Sequence, residues 1–494
     1  MQKKFITNLI ILLFLNLLIK PFWILGIDRS VQNVVGAHDY GFYFAVFNFT
    51  FLFNILLDFG ITNFNNRNIA QNHHLLQKHF SSIIVLKLLL AIVYIIISFS
   101  VAFIIGYDAA QVKMLVILGV NQFLISFILY LRSNISGLHF FKTDSLISVL
   151  DRMLMILICG VLLWGNITES KFKIEWFVYS QTAAYLITAV VALLIVFKKA
   201  KFSRLNWNWP FFVLIIKKSY PFAILVLLMA FYNRIDSVMI ERLLPPNEGE
   251  VQAGFYASAF RLLDATNMIA YLFSVILLPL FARMIKFKQP IEQLARLSFT
   301  LLFILAITVA VGCFFYSTEF MSMLYPKNIS ESVAEYAIRL KEISLIFGLL
   351  MTGFIPIATT YVFGTLLTAN GNLKQLNIVA ACGMILNISL NLILIPRFMA
   401  IGSAWASVVT QLLTATVQVM IAKVIFRFKT NNKYIINLII FTLGVVLITY
   451  LSKQMGFDWK INFVIMVILS VLLASATRLL NLRAAIKILK KESE

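Results

Sequence analysis

Apolar residues along this chain do not alternate with polar ones. They run in continuous blocks of about 20, the length that crosses a hydrocarbon core as a helix. Such blocks fall near 5–27, 40–60, 82–106, 111–131, 146–165, 174–197, 219–240, 254–282, 297–316, 343–367, 377–395, 401–426, 434–451 and 461–480, so the pattern predicts fourteen spans. A β-barrel would need alternating strands of about ten residues, and these runs are continuously apolar and twice that length. The expectation is an all-α membrane protein.

Composition agrees. With 61% hydrophobic and 13% charged residues in 494, the chain has too little polar material to solvate a soluble protein of this size. The formal net charge of +21 invites a nucleic-acid reading, which the placement of the charges removes. With the N-terminus inside, 26 of the 42 Lys and Arg residues fall on inward loops, as the positive-inside rule requires, and both termini are expected in the cytoplasm. Attraction to anionic inner-leaflet lipids is a by-product of that bias. The first span is too long for a signal-peptide core and reads as a retained helix. Cys159, Cys313 and Cys382 fall inside apolar spans, as packing residues rather than disulfide partners.

An internal repeat is visible at an offset of 213 residues. Over 27–54, Ile27, Arg29, Gly36, Gly41, Phe42, Tyr43, Phe47 and Asn54 match Ile240, Arg242, Gly249, Gly254, Phe255, Tyr256, Phe260 and Asn267, and Asp28 faces Glu241. An even number of spans separates the copies, so they share orientation, as two parallel bundles about an axis along the membrane normal. The organisation expected is a six-helix lobe over 1–197, a basic cytoplasmic linker over 198–218, a second six-helix lobe over 219–426, and two further spans with a basic tail over 427–494. A repeat of this kind places a substrate path between the lobes. The longest outward segment, Tyr316 to Glu342, reads as a solvated connector or as a surface-lying helix.

Three separated blocks carry a family resemblance. They are DYGFYFAVFNFTFLFNILLDFGIT from Asp39, YNRIDSVMIERL with AGFYASAFRLLD, and TANGNLKQLNIVAACGMILNISLNLILIPRFMAIGSAWAS from Thr368. In the last, Asn387 and Asn391 stand one turn apart ahead of Pro396, and Gly402, Ala404 and Ala406 begin the next helix. Pro396 is expected to stop the helix before it, because it lacks an N–H and restrains Ile395. The small residues then allow close packing. Together the blocks resemble the bacterial polysaccharide flippases, a branch of the superfamily that also holds the multidrug-and-toxin exporters and the lipid II flippases. Met399 departs from the pattern, standing where a glycine is usual, and Ser403 and Ser407 replace alanine and threonine. The resemblance implies an exporter (MATE-like) fold and alternating access, with an undecaprenyl-diphosphate-linked oligosaccharide as cargo, carried to the periplasmic leaflet of the bacterial inner membrane. It also implies coupling to an H⁺ or Na⁺ gradient, with no other cofactor.

Charged residues inside spans are the candidates for this work, because each costs a few kcal/mol at the membrane centre unless paired or hydrated. They are Lys20, Asp58, Lys87, Asp151, Arg152, Arg234, Asp236, Arg261 and Asp264. Lys87, Asp151 and Arg152 lie near cytoplasmic helix ends and read as snorkelling anchors. Lys20 and Arg234 each lie about 23 Å into a span at 1.5 Å per residue. At the repeat offset they are one residue from equivalence, so each lobe presents one cation at similar depth. With Arg261 they form the expected set of substrate-binding cations for a diphosphate or an acidic sugar. Arg261 and Asp264 share a helix face and Asp236 approaches the same depth, so this cluster either braces helices or exchanges a coupling proton. Asp58 reads as a cap or gate brace, with ion binding as its other role.

Enzyme motifs are missing: there is no phosphate-binding glycine loop and no zinc-ligand spacing. His73, His74 and His79 cluster on a cytoplasmic loop and read as solvated. A membrane glycan polymerase or ligase would be expected to carry a large outward loop with catalytic Arg or His, and the longest one here is short and acidic. A multidrug or cation exporter of the same fold would favour cavity carboxylates without competing cations, whereas Lys20, Arg234 and Arg261 suit an anionic passenger; lipid II is the neighbouring alternative among lipid-linked cargoes. The expected assembly is a monomer working beside glycan-polymerising partners, bound to membrane lipids and to no nucleic acid.

Overall fold

The computed structural model describes residues 18–19, 21–72, 75–138, 140–165, 172–198, 206–328, 331–429 and 431–480, and every regular element among them is helical. Eleven of these helices are long and apolar enough to cross a membrane. Packing divides the chain into two compact units, Met1–Ala257 and Ser258–Glu494.

In the first unit a π-helical turn, Trp23–Asp28, leads into α1 (Arg29–Leu52), which bends at Gly36 where φ is +85°. A 3-10 turn, Asn54–Leu57, and the positive-φ pair Phe59 and Gly60 separate α1 from α2 (Ile61–Gln71). Then follow α3 (Leu75–Ile104), α4 (Ala109–Gly137), α5 (Phe141–Trp164), α6 (Ile174–Phe197) and α7 (Trp209–Leu243). α8 (Glu248–Lys286) begins in this unit and continues into the next. α4 is the hub, packed on α1, α2, α5 and α6, and α7 packs along α1. Its sequence explains that place. Asn121, Gln122, Ser126, Ser133 and Asn134 are all buried on α4, so it faces protein on several sides and supplies partners to its neighbours.

The second unit holds α9 (Glu292–Phe315), α10 (Ser317–Leu324), α11 (Val333–Thr352), α12 (Phe354–Ala369), α13 (Leu373–Phe426), α14 (Asn432–Lys453) and α15 (Trp459–Ala476). α14 and α15 form a hairpin that packs on α9 through Phe441 and Val445 against Ile304 and Ile307.

The predicted blocks map onto these helices. The one near 343–367 is α11 and α12 joined at Gly353, and those near 377–395 and 401–426 are two arms of α13. Most of the block near 5–27 lies outside the described residues. The stretch from Tyr316 contains a helix, α10, on which Met321 is buried, and α11 starts on a capping box of Ser332 and Glu335.

The expected stop at Pro396 is corrected. The helix carries three residues past the proline, and the backbone turns at Met399, with φ +52° and ψ −136°. This left-handed conformation suits glycine, so the residue that departs from the family pattern is the one that carries the bend. Past it, Gly402 lies against the first arm: a Cβ there would meet the Leu394 carbonyl oxygen at 2.4 Å. Asn387 and Asn391 are fully buried on the first arm, and Asn391 Nδ2 donates to Asn387 Oδ1 at 3.1 Å.

Candidate functional site

The gap between α1 and α2 falls at the end of the apolar block near 40–60, and a helix end leaves backbone carbonyls without intrahelical partners. Side chains from two neighbouring helices fill the need. Tyr94 Oη on α3 donates to the Thr50 carbonyl at 3.0 Å, and Ser126 Oγ on α4 donates to the Leu57 carbonyl at 3.0 Å. Lys87 Nζ donates to Leu57 O at 3.1 Å, to Ser126 O at 3.2 Å, to Ser126 Oγ at 2.8 Å and to Asp58 Oδ1 at 2.9 Å. On its other side Asp58 accepts from the backbone N–H of Thr62, 3.3 Å from each carboxylate oxygen, and so caps α2.

Lys87 is only 1% exposed, so the expectation of a snorkelling anchor is overturned. Depth along a helix gave its distance from the end, but its direction is inward, onto the break. The pair is worth little against an apolar replacement, yet removing one member strands a buried charge, a loss of about 3–5 kcal/mol. It therefore acts as a lock on the break.

Carboxylates in this unit are met by tyrosines in two places. Tyr40 Oη donates to both oxygens of Asp28 at 2.9 and 3.0 Å, and Tyr256 Oη on α8 donates to Asp236 Oδ2 on α7 at 2.8 Å. Both carboxylates are 1% exposed. Asp28 escaped the sequence reading because it ends an apolar block; its match to Glu241 in the repeat was the available signal. Glu241 is buried too, accepting from Gln111 Nε2 at 2.7 Å and pairing with Arg242.

Arg234 stands half-buried on α7 with its guanidinium 5.1 Å from the Phe51 ring centre. One turn along α7, Ser237 Oγ accepts from Asn48 Nδ2 at 2.8 Å, fixing α1 beside it. Arg152 is not a simple anchor: its guanidinium lies 5.7 Å from the Trp23 ring centre and 5.9 Å from that of Tyr185, and it donates to Tyr185 Oη at 3.3 Å. Asp151 lies beside it, 3.7 Å from its Nε. In the second unit Arg261 and Asp264 sit one turn apart on α8, both half-buried. Lys20 lies outside the described residues, as do His73 and His74, whereas His79 stacks on Phe211 at 4.3 Å.

The repeat is visible as packing. Within the first unit α1 and the start of α8 cross at the matched glycines. A Cβ on Gly41 would lie 1.8 Å from the Glu250 carbonyl oxygen, and one on Gly254 would lie 2.0 Å from that of Ala37. Residues 37 and 250 are themselves 213 apart, so the two contacts exchange under the repeat: a local two-fold relation built from one motif used twice.

Comparison with known proteins agrees with this architecture. The chain is similar over 94% of its length, and over 98% of the other chain, to lipid II flippase MurJ in an inward closed conformation, at 15% identity and a TM-score of 0.70. An inward-facing multidrug resistance MATE family transporter of the MOP superfamily matches 85% of this chain and 98% of its own, at 13% identity and a TM-score of 0.61. A MOP superfamily transporter from Pyrococcus furiosus matches 85% and 94%, at 12% identity and a TM-score of 0.57. No curated protein matches the sequence. The model of the family described as polysaccharide biosynthesis protein matches residues 6–285, more than half of the chain. The chain therefore belongs to the polysaccharide biosynthesis protein family and is a multi-pass membrane protein with the fold that lipid II flippase MurJ shares with the MATE family transporters.

Proposed function

We propose that this protein flips a lipid-linked oligosaccharide, an undecaprenyl-diphosphate glycan, from the cytoplasmic to the periplasmic leaflet of a bacterial inner membrane. Two lobes, 1–197 and 219–426, alternate access to a path between them, with both termini cytoplasmic and an H⁺ or Na⁺ gradient as the driving force. The observation that carries this reading is Arg234, a guanidinium held half-buried on a membrane helix beside an aromatic ring. A diphosphate moving through lipid needs a partner of that kind, and guanidinium binds phosphate oxygens in a bidentate fashion. Lys20 and Arg261 complete the set of passenger-binding cations, and Asp236 and Asp264 are the coupling candidates.

A small cationic cargo is the less favoured reading. It would call on free carboxylates, and Asp58 already faces Lys87 at 2.9 Å. Lipid II shares the diphosphate headgroup chemistry, so the family match favours the polysaccharide precursor over it.

The test is Arg234→Glu in a strain lacking its glycan flippase. Export is expected to fall at least tenfold while the protein still appears in the membrane fraction at wild-type level. Full glycan export by the variant would reject the reading.

A further inference from the structure

His38 lies on α1 two residues past the Gly36 bend and ahead of the apolar run that begins at 40. Both of its ring nitrogens face carboxylates. Nδ1 is 2.9 Å from Asp39 Oδ1, and Nε2 is 2.7 Å from Glu250 Oε2 on α8 and 3.4 Å from Asn247 Oδ1 in the turn before α8. A neutral imidazole carries one N–H and one lone pair, so it can satisfy one of these carboxylates and must turn a lone pair toward the other. Only the imidazolium donates to both.

We propose that His38 is a proton-operated latch that holds the bend of α1 to the start of α8 while it is charged and lets them part when it loses its proton.

Several features of the surroundings support this. The latch sits one turn from the Gly41 and Gly254 crossing, where the two backbones already touch, so a small change at His38 acts on a contact with no side chains to cushion it. Both sides of the joint are turns rather than rigid helix, with positive φ at Gly36 and at Asn247. The repeat equivalent of His38 is Val251, so only one of the two copies carries the titrating group. The titratable groups facing the ring are Asp39 from its own helix and Glu250 from α8, with Asn247 adding a neutral acceptor. The hydrogen bond to Asp39 is the largest influence holding the ring protonated above its ordinary value of 6.5; partial burial opposes it, and the Glu250 charge adds to it. The sign follows: the latch is complete in acid and is lost as pH rises through this raised value. On the transport reading, to which this inference adds a direction, the latch falls in the predicted outward connection between the first two apolar blocks. Acid outside then favours closure of that face and the return of the empty carrier.

The test uses the full chain in lipid nanodiscs, with spin labels at Val34→Cys and Glu248→Cys in a Cys382→Ser background, and distances read by pulsed electron resonance at about pH 5.5 and about pH 8.5. The parent is expected to give one short, narrow distance in acid and a longer, broader one in alkali. His38→Gln should show the broad distribution at both, and His38→Lys, which keeps a cation, the narrow one at both. If the pH response survives His38→Gln, or survives His38→Lys where the Gln variant does not fold, the latch is wrong. Since the distances need no glycan, an intact response in a chain that exports nothing would count against the proposed cargo and leave the latch standing.

Discussion

Each compact unit contains a helix interruption, at Asp58–Gly60 in the first and at Met399 in the second, and the two are held in different ways. At Asp58–Gly60 the exposed carbonyls are met by a buried ammonium, a serine and a tyrosine, so the break is fixed by charge and hydrogen bonds. At Met399 the bend follows Pro396 and an exposed Arg397, and the close approach of Gly402 to the Leu394 carbonyl sets the two arms together. A charged lock is strong only while both partners are present, whereas a bend made of neutral packing yields by degrees. The first kind suits a fixed hinge point and the second a joint that repacks.

The largest effect expected from this contrast is at Asp58. Asp58→Ala leaves Lys87 buried without its carboxylate and should lower unfolding stability by about 3–5 kcal/mol in detergent, while Asp58→Leu with Lys87→Met should recover most of it. A single variant within about 1 kcal/mol of the parent would mean the charges do not lock the break. In the other unit, Gly402→Ala presses a methyl onto the Leu394 carbonyl and should cost about 1–3 kcal/mol, with a lower melting temperature. Replacing that glycine without loss would show that the two arms of α13 have room to spare. The smallest effect has the opposite sign. Met399→Gly should stabilise by about 1 kcal/mol, because the backbone there sits in a region that side chains disfavour. No gain, or a loss, would indicate that the Met399 side chain supplies packing worth more than the strain.

Much of this was legible in the chain itself. Spans could be placed because a bilayer demands about 20 apolar residues whatever the neighbours are. The repeat was readable because Gly41-Phe42-Tyr43 and Gly254-Phe255-Tyr256 are preserved, and Gly41 and Gly254 proved to be contact points. Asp58 as a cap was also readable, since it ends an apolar block next to Gly60. Lys87, Arg152 and Asp28 were misjudged or missed for one reason: position along a helix gives depth, while partners depend on which way the side chain points and on what packs there.

The sequence by itself determined an all-helical membrane protein and its duplicated motif, because these follow from the length and chemistry of local segments in lipid. Tertiary structure alone decided that Lys87 turns inward to Asp58, that tyrosines answer Asp28 and Asp236, that the bend falls on Met399 rather than Pro396, and that His38 bridges two carboxylates. Each of these joins residues distant in the chain, or sets a backbone angle through packing, and no local pattern encodes which distant group will be there.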